Sequence, residues 1–206
     1  GKSTLMKCVI GLIKQDAGTM EFEGKPYQAK GPVDALNSGI SMIHQELNPE
    51  PHLTVAESIF LKRENTKGIF LDKKAQNKRC QEILDQFNVP YTATTKMKEL
   101  TLAQVQMVEI IKAVSCDSRL IIMDEPTSSL DSTETDRLFN VIRDLKKKGV
   151  AIIYISHRME EVLRFGDDMT VLKDGKFVGS VKVKDVTEDD IITMMVGRKL
   201  EDIFPP

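Results

Sequence analysis

Tryptophan is absent from these 206 residues, aromatics make up only 5%, and three cysteines and three histidines are all that occur. Cys8, Cys80 and Cys116 are too few and too widely spaced for a disulfide framework or a zinc site, which suits a reducing cytosol, and all three read as packing residues. No apolar run approaches the roughly 18 residues a membrane-spanning helix needs, and none of the residues present read as a secretory leader. Any role at a membrane then passes through a partner. An excess of either charge is lacking too: 29 Lys and Arg against 31 Asp and Glu leave a formal charge of -2. The one compact basic run, Lys146, Lys147 and Lys148, reads as a solvated helix end, so there is no general electrostatic drive toward nucleic acid or anionic lipid. What remains, 41% hydrophobic and 29% charged, is the composition of a globular domain with one sizeable core and room for a subdomain.

The most informative stretch is residues 120–131, LIIMDEPTSSLD. Leu120, Ile121, Ile122 and Met123 form an unbroken apolar run, as expected of a strand covered on both faces in a parallel sheet. The run stops at Asp124 and Glu125, and Pro126 ends it. In open α/β sheets ligands sit outside the carboxyl ends of the strands, so two acids placed there read as substrate-facing, or else as the plain polar exit of a buried strand. At the other end of the chain, Gly1-Lys2-Ser3-Thr4 matches the close of the phosphate-binding loop G-x-x-x-x-G-K-[ST]. Gly1 lets backbone approach phosphate, Lys2 reaches the β and γ phosphates, Ser3 offers a hydroxyl to Mg²⁺, and the helix start adds N–H donors. Alone, the same four residues are also an ordinary helix start. Because the sequence opens inside this motif, it is expected to begin part-way through a longer chain.

The helix after Gly1 carries Leu5, Met6, Val9, Ile10 and Ile13 on one face and is expected to run to Gly18. A strand over residues 19–23 follows, then a short helix near residues 33–37 and a strand over 40–43 that ends at His44-Gln45-Glu46. That strand places Gln45 at the same sheet edge as Lys2 and Asp124, while His44 reads as structural or surface. Residues 47 to about 115 change character to helical patterns. Thr54 and Glu57 have capping-box spacing, Asp72 caps a helix carrying Cys80, Ile83, Leu84 and Phe87, and Thr101 with Gln104 opens a helix through Val105, Val108, Ile111 and Val114. Asp131 and Glu134 cap a helix with Leu138, Val141, Ile142 and Leu145 inward. A second apolar strand, 150–155, ends at Ser156-His157. Residues 169–172 and 177–180, joined by Asp174-Gly175, read as a hairpin, and a last helix spans 188–196.

Four elements thus deliver phosphate-binding and carboxylate chemistry to one sheet edge: GKST, Gln45, Asp124-Glu125 and His157. In this order, with a helical insert between the second and third, the chain resembles the nucleotide-binding domain of ATP-binding cassette (ABC) proteins over essentially all 206 residues. LTLAQVQMVEI, MDEPTSSL, YISHRMEEV and MMVGRKLEDIFPP most resemble the first of two fused cassettes in bacterial monosaccharide importers of the ribose, galactose and xylose type. The resemblance implies an α/β fold, a P-loop NTPase (RecA-like) parallel-sheet core with an inserted helical subdomain and its N-terminal strands missing. The catalytic core would be residues 1–46 and 116–206, the helical signature subdomain 47–115, and 198–206 the start of a linker to a second cassette. It implies ATP and Mg²⁺ as ligands, with Gly1, Lys2, Ser3 and Thr4 in the Walker A motif and Gln45 as the Q-loop glutamine. Thr101, Leu102, Ala103 and Gln104 stand at the signature, with Leu102 and Ala103 where the family has glycines. Asp124 and Ser3, with Gln45, would serve the metal. Glu125 would polarise the attacking water, Asp131 falls in the D-loop, and His157 would sense the γ-phosphate. The implied partners are a second cassette, a membrane permease and, through it, an extracytoplasmic sugar-binding protein, at the cytoplasmic face of the bacterial plasma membrane. No nucleic-acid partner is implied. A soluble ABC ATPase acting on nucleic acid or the ribosome, and a non-hydrolysing regulatory cassette, are the competing assignments; the stretch as it stands is expected to be a weak ATPase on its own.

Overall fold

Residues 1–43, 49–61, 63, 66–67 and 70–196 are described by the computed structural model. They group into two units, one of Leu36–Ile153 and one of Gly1–Ala35 with the described part of Tyr154–Pro206. The expected linker residues 198–206 lie outside the described residues.

The first helix, α1 (Lys2–Val9), is shorter than its apolar periodicity suggests. It stops ahead of Gly11, whose φ of 72° is left-handed, and a Cβ there would lie 2.6 Å from the Ala29 carbonyl oxygen, so only glycine fits. Met6 and Ile10 are buried, but Ile13 falls beyond the helix and is 41% exposed. Gly18, the expected terminator, stands in a loop with open space around it. The strand expected over 19–23 contracts to β1 (Glu21–Phe22), paired antiparallel with β2 (Lys25–Pro26) across Glu23 and Gly24. Helix α2 (Pro32–Asn37) follows.

The larger unit is built on a sheet whose order is β3-β6-β7. Strand β3 (Ile40–Ile43) pairs in parallel with β6 (Leu120–Asp124), Ile40 opposite Leu120 and Ile43 opposite Met123. Ile121, Ile122 and Met123 are at most 1% exposed, which is why β6 shows no polar alternation. Strand β7 (Ala151–Ile155) is half exposed along most of its length, as an outer strand allows. Between β3 and β6 come α3 (Val55–Ile59), the short strands β4 (Thr66–Lys67) and β5 (Phe70–Leu71), α4 (Lys73–Phe87) and α5 (Leu102–Val114). Helix α3 packs on both α4 and α5, and Val55, Ile59, Phe60, Cys80, Leu84, Met97, Val108 and Ile111 fill the space between. Helix α6 (Ser132–Lys147) buries Leu138, Phe139, Ile142 and Leu145.

Beyond β7 lies a helix the sequence periodicity does not announce, α7 (Met159–Phe165), whose first turn has no side-chain cap. Strands β8 (Asp168–Lys173) and β9 (Lys176–Lys182) form the expected hairpin, with Asp174 and Gly175 at φ of 49° and 77°, the left-handed pair a two-residue turn demands. Helix α8 (Glu188–Val196) closes this unit by packing Ile191 and Met194 on Met169, Val171 and Val183.

Candidate functional site

Strand β6 ends on Asp124, which is 4% exposed, and the next residue departs from ordinary backbone geometry. Glu125 has φ of 48°, a left-handed conformation that a non-glycine residue adopts only when its surroundings impose it. Two tight turns follow, with the Ser128 N–H donating to the Glu125 carbonyl and the Leu130 N–H to the Thr127 carbonyl, both at 3.2 Å. Thr127 is 2% exposed and anchors the loop. The chain then enters α6 through Asp131, whose carboxylate accepts the Glu134 N–H at 2.8 Å while Glu134 accepts the Asp131 N–H at 3.1 Å. Asp124, Glu125 and Asp131 therefore sit on one strand–loop–helix connection with little conformational freedom.

In the same unit, α5 opens on the capping box its spacing predicts. The Thr101 hydroxyl accepts the Gln104 N–H at 3.3 Å, and the Gln104 side chain accepts the Thr101 N–H at 2.9 Å. Leu102 and Ala103 occupy the first helical turn, where backbone N–H groups have no partner within the helix. The Leu102 side chain is 62% exposed.

Lys2, Ser3, Thr4 and His157 belong to the other unit. Gly1 caps α1 and its carbonyl accepts the Leu5 N–H at 3.1 Å; Lys2, Ser3 and Thr4 form the first turn. That turn carries no acid to compete for the helix's positive end, which suits an anion. A Cβ on Gly1 would lie 3.3 Å from the Gly175 Cα, so the position is close to backbone. His157 is exposed at the middle of the three-residue link from β7 to α7. Gln45, and His44 beside it, lie outside the described residues.

Around His157 stands a group that motif spacing missed. Glu161 is 6% exposed, and its Oε2 accepts both the Tyr154 hydroxyl at 2.8 Å and the Ser156 hydroxyl at 2.9 Å. Its Oε1 lies 3.4 Å from the Arg158 guanidinium, and the Ser156 oxygen accepts the Arg158 N–H at 3.0 Å. The available signal was Glu161 next to Val162: neighbours about 100° apart on a helix share one face, and an acid on the inner face needs partners.

Among the described residues no three His, Cys, Asp or Glu side chains gather into a group that could hold a metal ion unaided. No helix of the described residues is long and apolar enough to cross a membrane.

A family model described as ABC transporter matches residues 1–128. The chain is 47% identical over 210 residues to the galactose/methyl galactoside import ATP-binding protein of Clostridium tetani, covering 100% of this chain and 42% of that protein. It is 49% identical over 207 residues to the ribose import ATP-binding protein of the same organism, covering 100% and 41%. The chain thus spans about two fifths of the length of these relatives. Among solved structures it is similar to a nucleotide-free ATP-binding cassette from an ABC transporter, with a TM-score of 0.79 at 26% identity over 100% of this chain and 84% of that one. A second such cassette, in its ADP conformation, gives a TM-score of 0.78 at 27% identity, covering 96% and 84%.

Proposed function

The chain belongs to the ABC transporter family, and from that membership we propose that it is the ATP-binding and ATP-hydrolysing cassette of a bacterial sugar importer. The observation that carries the reading is the end of β6, where a buried Asp124 is followed at once by Glu125 in a left-handed conformation. Strain of this kind concentrates where function fixes a side chain's direction. The names of the relatives, import proteins for ribose and galactosides, supply the substrate class.

In this reading Lys2 and the N–H groups opening α1 bind the nucleotide phosphates, with Ser3 and Asp124 presenting oxygen to Mg²⁺. The donor set fits that ion: magnesium is held by one or two carboxylates together with substrate phosphates, so a preformed acidic cage is not needed. Magnesium held there would neutralise charge on the transferring phosphoryl group. Glu125 orients the attacking water and takes its proton, His157 donates to the γ-phosphate, and Gln45 completes the water and metal shell. Thr101, Leu102, Ala103, Gln104 and Asp131 face the nucleotide of a second cassette. Residues 1–46 and 116–206 form the ATP-binding core, 47–115 the helical arm toward a permease, which in turn receives sugar from an extracytoplasmic binding protein. The cassette sits peripherally at the cytoplasmic face of the membrane.

Two substitutions test the assignment by separating binding from chemistry. Asp124→Asn should weaken Mg-ATP binding by removing charge opposite the ion. Glu125→Gln should leave binding intact and lower single-turnover phosphate release by on the order of 10²-fold. Near-normal release with normal affinity in Glu125→Gln would show that Glu125 is only a strand exit.

A further inference from the structure

The Glu161 carboxylate has a geometry that packing alone does not require. It is buried, and the three side chains it holds, Tyr154, Ser156 and Arg158, lie on both sides of the exposed His157 in sequence. On one side, Tyr154 and Ser156 donate their hydroxyls to one oxygen at 2.8 and 2.9 Å. On the other, Arg158 is held twice, by its guanidinium against Oε1 at 3.4 Å and by its N–H on the Ser156 hydroxyl at 3.0 Å. The Tyr154 ring is fixed in turn by an edge contact with Phe165 at 4.7 Å, at the far end of α7. A carboxylate is acceptor-only and accepts several donors at once, so no neutral side chain of this size satisfies the same set.

We propose that Glu161 is a positioning residue for phosphoryl transfer: by clamping both neighbours of His157 it fixes the link from β7 to α7, and with it the direction in which the imidazole meets the γ-phosphate. The inference rests on the role given above to His157. Helix α7 has no side-chain cap, so this clamp, rather than a local helix signal, defines where the helix starts. A displacement of about 1 Å in a group that contacts the reacting atoms is enough to cost up to roughly 10²-fold in rate.

The substitutions form a graded series. Glu161→Ala removes every acceptor. Glu161→Gln keeps one oxygen for the two hydroxyls but turns an NH₂ group toward the Arg158 guanidinium, and Ser156→Ala removes one hydroxyl and the bridge to the Arg158 N–H. In the intact transporter complex, Glu161→Ala should lower kcat about 10-fold to 100-fold with KM for ATP nearly unchanged. Glu161→Gln and Ser156→Ala should fall between, and Glu161→Ala should add nothing in a His157→Ala background. A kcat within about 2-fold of wild type in a folded Glu161→Ala, or a full additional loss on top of His157→Ala, overturns the proposal. Should Glu161→Ala fail to fold, the other two variants carry the same test. If His157→Ala itself keeps wild-type activity, the assignment of His157 fails instead. The clamp is then read directly from the His157 ring resonances of the 206-residue chain, where an unchanged shift and line width in Glu161→Gln overturns it.

Discussion

Replacing Glu125 by alanine and by glycine should give two inactive proteins of different stability. A left-handed residue with a Cβ costs roughly 1–2 kcal/mol relative to its ordinary conformation, and Glu125 has φ of 48°. Glycine removes that cost but brings about 0.5–1 kcal/mol of extra freedom to the unfolded chain. The difference leaves Glu125→Gly more stable than Glu125→Ala by about 1 kcal/mol, which in a chain of this size is roughly 2–4 °C in Tm. Both variants lose the carboxylate and everything it touches, so the comparison isolates the backbone. Thermal unfolding of the two proteins in one buffer measures the difference, and phosphate release checks that both have lost hydrolysis. An alanine variant as stable as the glycine one would refute the idea that the turn after Asp124 holds Glu125 in a strained conformation for the sake of its chemistry.

Thr54→Ala breaks a capping box in which the Thr54 hydroxyl accepts the Glu57 N–H at 3.2 Å and Glu57 accepts the Thr54 N–H at 2.9 Å; calorimetry should show a loss of about 1 kcal/mol. The same Thr54 N–H, aided by Lys73 at 3.1 Å, holds the Glu57 carboxyl down from its ordinary 4.5 to about 2. A depressed carboxyl contributes stability that is full above pH 4.5 and lost as pH falls toward about 2, so Glu57→Gln should flatten the acid limb of a urea-stability profile in that window. An identical slope in both proteins would show that the box does not hold the charge. Cys80 is fully buried and its thiol is pushed up to about 12 by burial, so at pH 8 Ellman's reagent should titrate the partly exposed Cys8 and Cys116 first and reach Cys80 only on unfolding. Three thiols reacting at one rate in the native protein would contradict that order.

What was legible in the sequence follows how local the physics is. The capping boxes at Thr54, Thr101 and Asp131 form where their spacing puts them, because donor and acceptor are three residues apart and need no tertiary help. The runs at 40–43 and 120–123, apolar but for Ser41, became the paired strands β3 and β6, since a strand covered on both faces is predominantly apolar. The end of α1 was not legible: Gly11 and Gly18 are both plausible terminators, and the choice is made by the Ala29 carbonyl, which approaches Gly11 from 18 residues away. Helix α7 was not legible for a similar reason, being anchored by Tyr154 on the preceding strand and Ser156 just after it rather than by a cap of its own. Of the proposed site residues, Asp124, Glu125, Thr101 and His157 are legible because strand ends, helix starts and the link after a strand locate them. Glu161 was not, because a carboxylate that works inward has no motif.

The same distinction bears on Thr101 and Asp131, which hold helix starts and are also proposed to face a nucleotide. The two uses are compatible at Thr101. Its hydroxyl oxygen accepts the Gln104 N–H and still carries a proton that a phosphate oxygen could take, so binding need not break the cap. At Leu102 the uses diverge. In the first turn of α5, leucine and alanine stabilise a helix start that two glycines would weaken by about 1 kcal/mol each. Their side chains, however, stand where glycine would let the N–H groups close on phosphate. A helix start strengthened in this way is the expected signature of a site where tight phosphate contact is not the rate-setting requirement. The expected outcome in a cassette pair is slower hydrolysis of the nucleotide facing this signature, measured as a larger loss of phosphate release when Lys2 is changed than when the equivalent lysine of the second cassette is changed.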